Sequence, residues 1–363
     1  MKIHMKRAMP TRRPRALVLA LALMLPAAVQ VHAAEPPDAA YAWLQQISAE
    51  RMYKDWRALQ DAADQNGGSR VHGSAGYEAA GRYIEQELRA AGLTVRREPF
   101  QYAGRAGFNL LLDVPGTLGA GAPVIMLGAH LDSVAGSPGG DDDGSGASAV
   151  LEIARQAALK PQPSTLRFAW WGAEEHGVIG SSVHVRQLSS RPAELRAIRA
   201  YLNADMIASP NYIFGIYDPD HPEGRGVPPT AQGRQIREAL RGYFRSEGLP
   251  QVSIPPDLPS DQLPFLGCGV ATGGVASIPG IRNKTPQEQA LFGGEAGKRH
   301  SPNYHRRGDR VEAASPEAQL VLARALAYAL VSLAQAPPAA LLESRCDLPA
   351  AHRQWLRGRA HQH

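Results

Sequence analysis

Cysteine is nearly absent: two in 363 residues. That excludes a disulfide-framework mini-protein and any zinc ribbon or iron–sulfur site built on cysteine. No uninterrupted apolar run reaches the 18 or more residues of a membrane span. There is no solenoid-period repeat, no glycine-every-third pattern and no long low-complexity linker. Collagen-like, coiled-coil and channel architectures are therefore set aside. What is present is an apolar share of 44% with 20% charged residues, too apolar for a disordered chain.

The net charge of +5 is misleading. Lys2, Lys6, Arg7, Arg12, Arg13 and Arg15 crowd the first 34 residues, which hold no acid. The apolar stretch Ala16–Val31 and a small-residue exit before Glu35 follow. This pattern reads as a secretory signal peptide over 1–34, with export to the periplasm or the medium. With those six removed, the 39 Lys and Arg become 33 against 34 Asp and Glu, a balance of −1. The electrostatic argument for nucleic acid or an anionic membrane then disappears.

The spacing predicts helices over Gly76–Gly92, Ser145–Leu159, Gln232–Glu247 and Pro316–Gln335. Strand-length apolar runs lie at Pro123–Ala129, Thr165–Trp171 and Ala200–Ala204. Strands alternating with helices imply an α/β fold: one three-layer α/β/α domain around a central mixed, mainly parallel sheet. It should span 35–336, with a surface excursion at Asp218–Thr230 and a polar tail over 337–363.

Three of these strands end in chemistry. The first runs into His130-Leu131-Asp132-Ser133, the second into Gly172-Ala173-Glu174-Glu175, and the third into Asp205. A Gly-rich acidic loop, Gly139–Gly146 with Asp141, Asp142 and Asp143, begins nine residues after His130. Singly, each has a bland reading: a core histidine, a solvated turn, acids complementing a helix dipole. Jointly they do not, because ligands gather outside strand carboxyl ends in open α/β sheets. Several unpaired carboxylates there would be costly without cations. Zinc takes imidazole and carboxylate ligands, and one carboxylate can bridge two metals.

At these residues the sequence closely resembles the secreted bacterial double-zinc aminopeptidases of the leucyl aminopeptidase type, in the zinc-dependent exopeptidase superfamily. The matching strings are Asn66–Arg70 with His72-Gly73, then Gly128–Val134, Asp142–Gly146, Phe168–Glu175, Tyr201–Ile207 and Tyr304-His305. The resemblance implies two Zn2+ per chain. Asp142 would bridge them, with His130 and Asp205 completing one site and Glu175 and His305 the other. It implies that Glu174 is the general base acting on the metal-bridging water and that Tyr304 steadies the tetrahedral intermediate. It further implies that Asp132 orients His130, and that the Asp142–Asp143 peptide is cis. Peptides with a free N-terminus are the expected partners, with apolar first residues near Met206 and Phe265. A monomer is expected.

Two departures stand out. The family's small disulfide around its last histidine ligand is absent, since Asn303 and Gly308 occupy that neighbourhood; Cys268 and Cys346 either pair with each other or stay free. In Asp257–Asp261, Pro259 stands where relatives carry an Arg before Ser-Asp. The same fold and metals also serve zinc carboxypeptidases, dipeptidases and glutaminyl cyclases, which are the alternative readings. His176 and His300 are treated as outside the ligand set.

Overall fold

The computed structural model describes residues 43–224, 229–336 and 346. Those residues fall in one compact unit. The expected signal peptide, and the tail apart from Cys346, lie outside the described residues.

Eight strands form one sheet: β1 (Arg96–Tyr102), β2 (Arg105–Val114), β3 (Val124–His130), β4 (Thr165–Trp171), β5 (Ile198–Ala204), β6 (Gly215–Tyr217), β7 (Val252–Ile254) and β8 (Thr272–Ala276). Their order is β1-β2-β4-β3-β5-β8-β6-β7. The centre, β4-β3-β5-β8, is parallel throughout, while β1, β2 and β6 pair antiparallel at the flanks. The helices are α1 (Ala49–Asp64), α2 (Ala75–Ala90), α3 (Gly146–Leu159), α4 (Ile179–Ser189), α5 (Pro192–Ala197), α6 (Ala231–Glu247), α7 (Gln262–Gly267), α8 (Pro286–Phe292) and α9 (Pro316–Gln335).

Alternation along the central strands builds the three layers. Ile125, Leu127 and Ala129 of β3, with Phe168 and Trp170 of β4, pack into a large core with α1, α2, α3, α6 and α9. Val124, Met126, Ala169 and Trp171 point the other way, onto Val185 and Leu188 of α4 and Leu195 of α5. Every residue of β3 is buried, as a central parallel strand covered on both faces must be.

The observed bounds shift a few expectations. Residues 140–145 wind as a wider, π-type turn, so α3 starts at Gly146 and not Ser145. The first expected strand runs one residue further, placing His130 at its last position. Thr230 caps α6 by accepting from Gly233 N at 2.9 Å, so that helix starts at Ala231. The excursion from Asp218 shows no helix or strand at 218–224 or 229–230, and 225–228 lie outside the described residues. One exclusion needs correcting: α9, at 20 residues, is long and apolar enough to cross a membrane by length and composition. It is mostly buried, packed against α3, α6 and the sheet, so its apolarity is that of a core helix.

Candidate active site

The chain passes from β3 to β4 on one side, then crosses to β5 on the other. That reversal opens a crevice at the strand carboxyl ends, the place where α/β sheets bind ligands. His130 closes β3, Glu174 and Glu175 form a single 3-10 turn just beyond β4, and Asp205 follows β5 directly. Asp142 comes from the turn after β3, and Tyr304 and His305 from the segment before α9. The structure brings all seven together.

Asp142 sits between the two histidines. Its Oδ1 lies 3.0 Å from His130 Nε2, and its Oδ2 lies 3.1 Å from His305 Nε2. Asp205 Oδ1 lies 3.6 Å from His130 Nε2, and Glu175 Oε2 lies 3.1 Å from His305 Nε2. Two groups result whose ligand-type atoms lie within 4.8 Å of one another: His130, Asp143 and Asp205, and Asp142, Glu175 and His305. Asp143 belongs to the first by distance, but its oxygens are already engaged. Its Oδ1 accepts from Gly146 N and Met206 N, and its Oδ2 from His130 N. Asp205 Oδ1, by contrast, is buried with no hydrogen-bond partner. An orphaned carboxylate oxygen beside an imidazole nitrogen is a donor set that fits a divalent cation.

The electrostatics agree. Burial alone would lower the His130 pKa, but Asp142 and Asp205 outweigh it and hold it well above 6.5. Burial likewise opposes, and Asp142 and Glu175 raise, His305 to about 10. Burial would raise Asp142, yet the two imidazoles pull it below the ordinary carboxylate range. So many buried acids beside two imidazoles call for positive charge, which a divalent cation would supply. Glu174, buried beside Glu175, is pushed well above its ordinary value, chiefly by desolvation.

The support is built on backbone donors. Asp309 accepts from Asp141 N at 2.8 Å and Asp142 N at 3.2 Å, clamping the acidic turn from 167 residues away. Arg70, fully buried, donates to the carbonyls of Leu131, Pro138 and Gly139 and fixes the chain between β3 and that turn. Asn109 accepts from Gly172 N at 3.2 Å and donates to Gly180 O at 2.9 Å, pinning both ends of the loop that carries Glu174 and Glu175. Glu98 accepts from the other Asn109 hydrogen at 2.8 Å and pairs with His184 Nδ1 at 3.0 Å. Asn109, Asp309 and Arg70 carry no ligand motif in the sequence. Their task is to bond main-chain groups, which leaves no spacing to read. The Asp142–Asp143 peptide is cis, as the resemblance implies. Ala173, Met206 and His305 all have positive φ, so three of the five such non-glycine residues described adjoin or belong to the site.

Two expectations are corrected. Asp132 holds His130 through its backbone: Nδ1 lies 3.1 Å from the Asp132 carbonyl and 3.8 Å from the carboxylate. The carboxylate instead accepts from Glu174 N and Glu175 N, so it holds the turn carrying those two acids. Phe265 does not approach the cleft. It is fully buried, stacked on Tyr201 with centroids 4.2 Å apart and beside Trp171, on the face opposite the large core. The cavity next to the acids is lined instead by Met206, Tyr217, Leu258, Pro259, Ile278 and Ile281, with Glu174 and Tyr304. Cys268 and Cys346 are disulfide-bonded. His300 turns Nδ1 to the Arg282 carbonyl at 3.0 Å, and His176 packs against Tyr102 and His72.

Fold and site together place two donor groups, each able to hold a divalent cation, at the carboxyl ends of the central strands. Residues 109–330 match the peptidase family M28. The chain is 36% identical over 334 residues to leupeptin-inactivating enzyme 1 of Streptomyces exfoliatus, covering 90% of this chain and 70% of that one. It is 37% identical over 234 residues to leucine aminopeptidase 2 of Trichophyton rubrum, covering 64% of this chain but only 46% of that relative. The zinc aminopeptidase BSAP of Bacillus subtilis shares the fold, with a TM-score of 0.66 at 16% identity over 82% of this chain and 98% of that one. The chain belongs to peptidase family M28. Family and relatives together make it a peptidase, and leucine aminopeptidases are among the proteins it resembles.

Proposed function

We propose that the chain is an exported aminopeptidase that removes apolar first residues from peptides at a centre of two zinc ions. His130, Asp142 and Asp205 would hold one ion and Asp142, Glu175 and His305 the other. The observation that carries this reading is the placement of the two Asp142 oxygens, one against each histidine, with a second carboxylate beside each pair.

Zinc in such a site makes a bound water nucleophilic near neutral pH and polarises a carbonyl. Glu174, next in sequence to Glu175 and lining the cavity, takes the proton of the attacking water and returns it to the leaving amine. Tyr304, stacked on His305 with centroids 3.7 Å apart, offers its hydroxyl to the developing oxyanion. The substrate's free ammonium meets the carboxylates of Glu174 and Asp205, which accounts for work at an amino terminus. Met206, Tyr217, Leu258, Ile278 and Ile281 give the first side chain an apolar wall. Pro259 extends that wall and offers no charge, which disfavours a carboxypeptidase anchor at this position.

The test is hydrolysis of leucine anilide by residues 35–363, beside its N-acetylated form, with and without chelator. Cleavage of the free amine alone, lost on chelation and restored by zinc, is expected. No cleavage by folded protein holding two zinc ions would transfer the site to a carboxypeptidase, dipeptidase or cyclase.

A further inference from the structure

The arginines of this protein are mostly spent on acids. Arg282 pairs with Glu288 at 2.5 Å, Arg310 with Asp64 at 2.6 Å and Arg155 with Asp55 at 2.5 Å. In one neighbourhood, cations without an acid partner gather around a recess. Lys298, Arg299 and Arg306 line a recess of about 750 Å³ whose only acid is Glu295. None of the three cations has a side-chain hydrogen bond or ion pair among the described residues, and all are exposed.

The recess is preformed. Asn211 accepts from Glu295 N at 3.0 Å and donates to the carbonyls of Glu295 at 2.9 Å and Arg299 at 3.3 Å. Lys284 N donates to Lys298 O, and Gly297 N to Lys284 O, each at 2.8 Å. The walls also continue segments that carry the candidate ligands. Arg306 follows His305 directly, so their Cα atoms are one peptide link, about 3.8 Å, apart. Pro210 and Asn211, also lining the recess, continue the chain that leaves β5 through Asp205.

We infer that this recess receives a carboxylate carried by the peptide substrate downstream of its first residue, on an acidic side chain or at the chain end. The inference rests on the aminopeptidase reading and names a substrate class for it. An unpaired cationic recess walled by the residue that follows His305 attracts anionic chains and screens strongly with salt.

Three amidated or free peptides separate the cases: Leu-Gly-Gly-Gly-Gly amide, the same peptide as free acid, and Leu-Gly-Gly-Gly-Asp amide. Wild type should favour at least one anionic peptide over the neutral amide by about fivefold in kcat/KM at low salt. The preference should shrink in 0.5 M NaCl. Whether both anionic peptides gain, or one, tells which carboxylate is held. In K298Q/R299Q/R306Q the ratio of anionic to neutral rates should fall to about one. A ratio cancels any general loss of activity, and cleavage of the neutral amide reports folding. Equal rates on all three peptides in wild type, or a preference that the triple variant keeps, overturns this inference and leaves the aminopeptidase reading standing. Cleavage of none overturns both.

Discussion

Asp142 and its neighbours Asp141 and Asp143 are consecutive, buried and acidic, yet their surroundings differ. Asp141 accepts from Ala208 N and from the Ser209 hydroxyl, and burial dominates its pKa, raised to about 7. Asp143 accepts from three backbone amides. Asp142 turns both oxygens to imidazole nitrogens. Two of the three carboxylates therefore hold the loop in place, and the middle one faces the crevice. Adjacency in sequence says nothing about that division; an account of donors does.

The sharpest test of who performs chemistry lies one strand away. Glu174→Gln keeps size and burial but cannot take a proton. Turnover should fall about 10²- to 10⁴-fold, with two zinc ions retained by metal analysis. Unchanged turnover would remove Glu174 as the base.

The comparison itself breaks on a pair of variants. Asp142→Asn should reduce bound zinc to one ion or none per chain after dialysis. Asp143→Asn should keep both ions but lose roughly 1–3 kcal/mol of stability, because an amide nitrogen would face backbone donors. Denaturant melts of chelated protein check the second effect. Zinc loss in Asp143→Asn, with retention in Asp142→Asn, would exchange their roles.

The smallest expected effect concerns the buried His184–Glu98 pair. Burial, opposed by Glu98, lowers the His184 pKa, while bonds from His184 and Asn109 overcome burial and lower Glu98. As pH falls through 6.5, the unfolded chain protonates this histidine before the folded one does, so stability drops. Below about 4.5 the depressed Glu98 adds to the loss in the same direction. In chelated protein, His184→Gln should fall by about 1–3 °C less in Tm than wild type between pH 7.5 and 5.5. Equal slopes would show that the pair does not titrate on unfolding.

Much of this was legible in the sequence because strands and ligands share a grammar. Thr165–Trp171 and Pro316–Gln335 carry their own stops, and each proposed ligand sits at or just past the end of a strand or loop motif. Phe265 misled because an aromatic in a short helix looks the same whether it faces a cleft or a core; stacking on Tyr201 decides it. Tyr217, Ile278 and Ile281 lay hidden because they reach the cavity from segments without any ligand pattern. Asp132 was assigned to the right neighbourhood but the wrong atom, since sequence cannot separate a carbonyl from its own side chain.

The clamp from Asp309 to the acidic turn has a consequence for assembly. It joins residue 309 to residues 141 and 142, and the proposed ligands span His130 to His305, so no short fragment contains a finished centre. Contacts of such sequence separation form late and only in company, because the long intervening loop must close before they repay its entropy. Metal uptake should then be inseparable from completion of the whole domain. Free zinc at 100 times the dissociation constant of a single site would add about 2.7 kcal/mol to global stability.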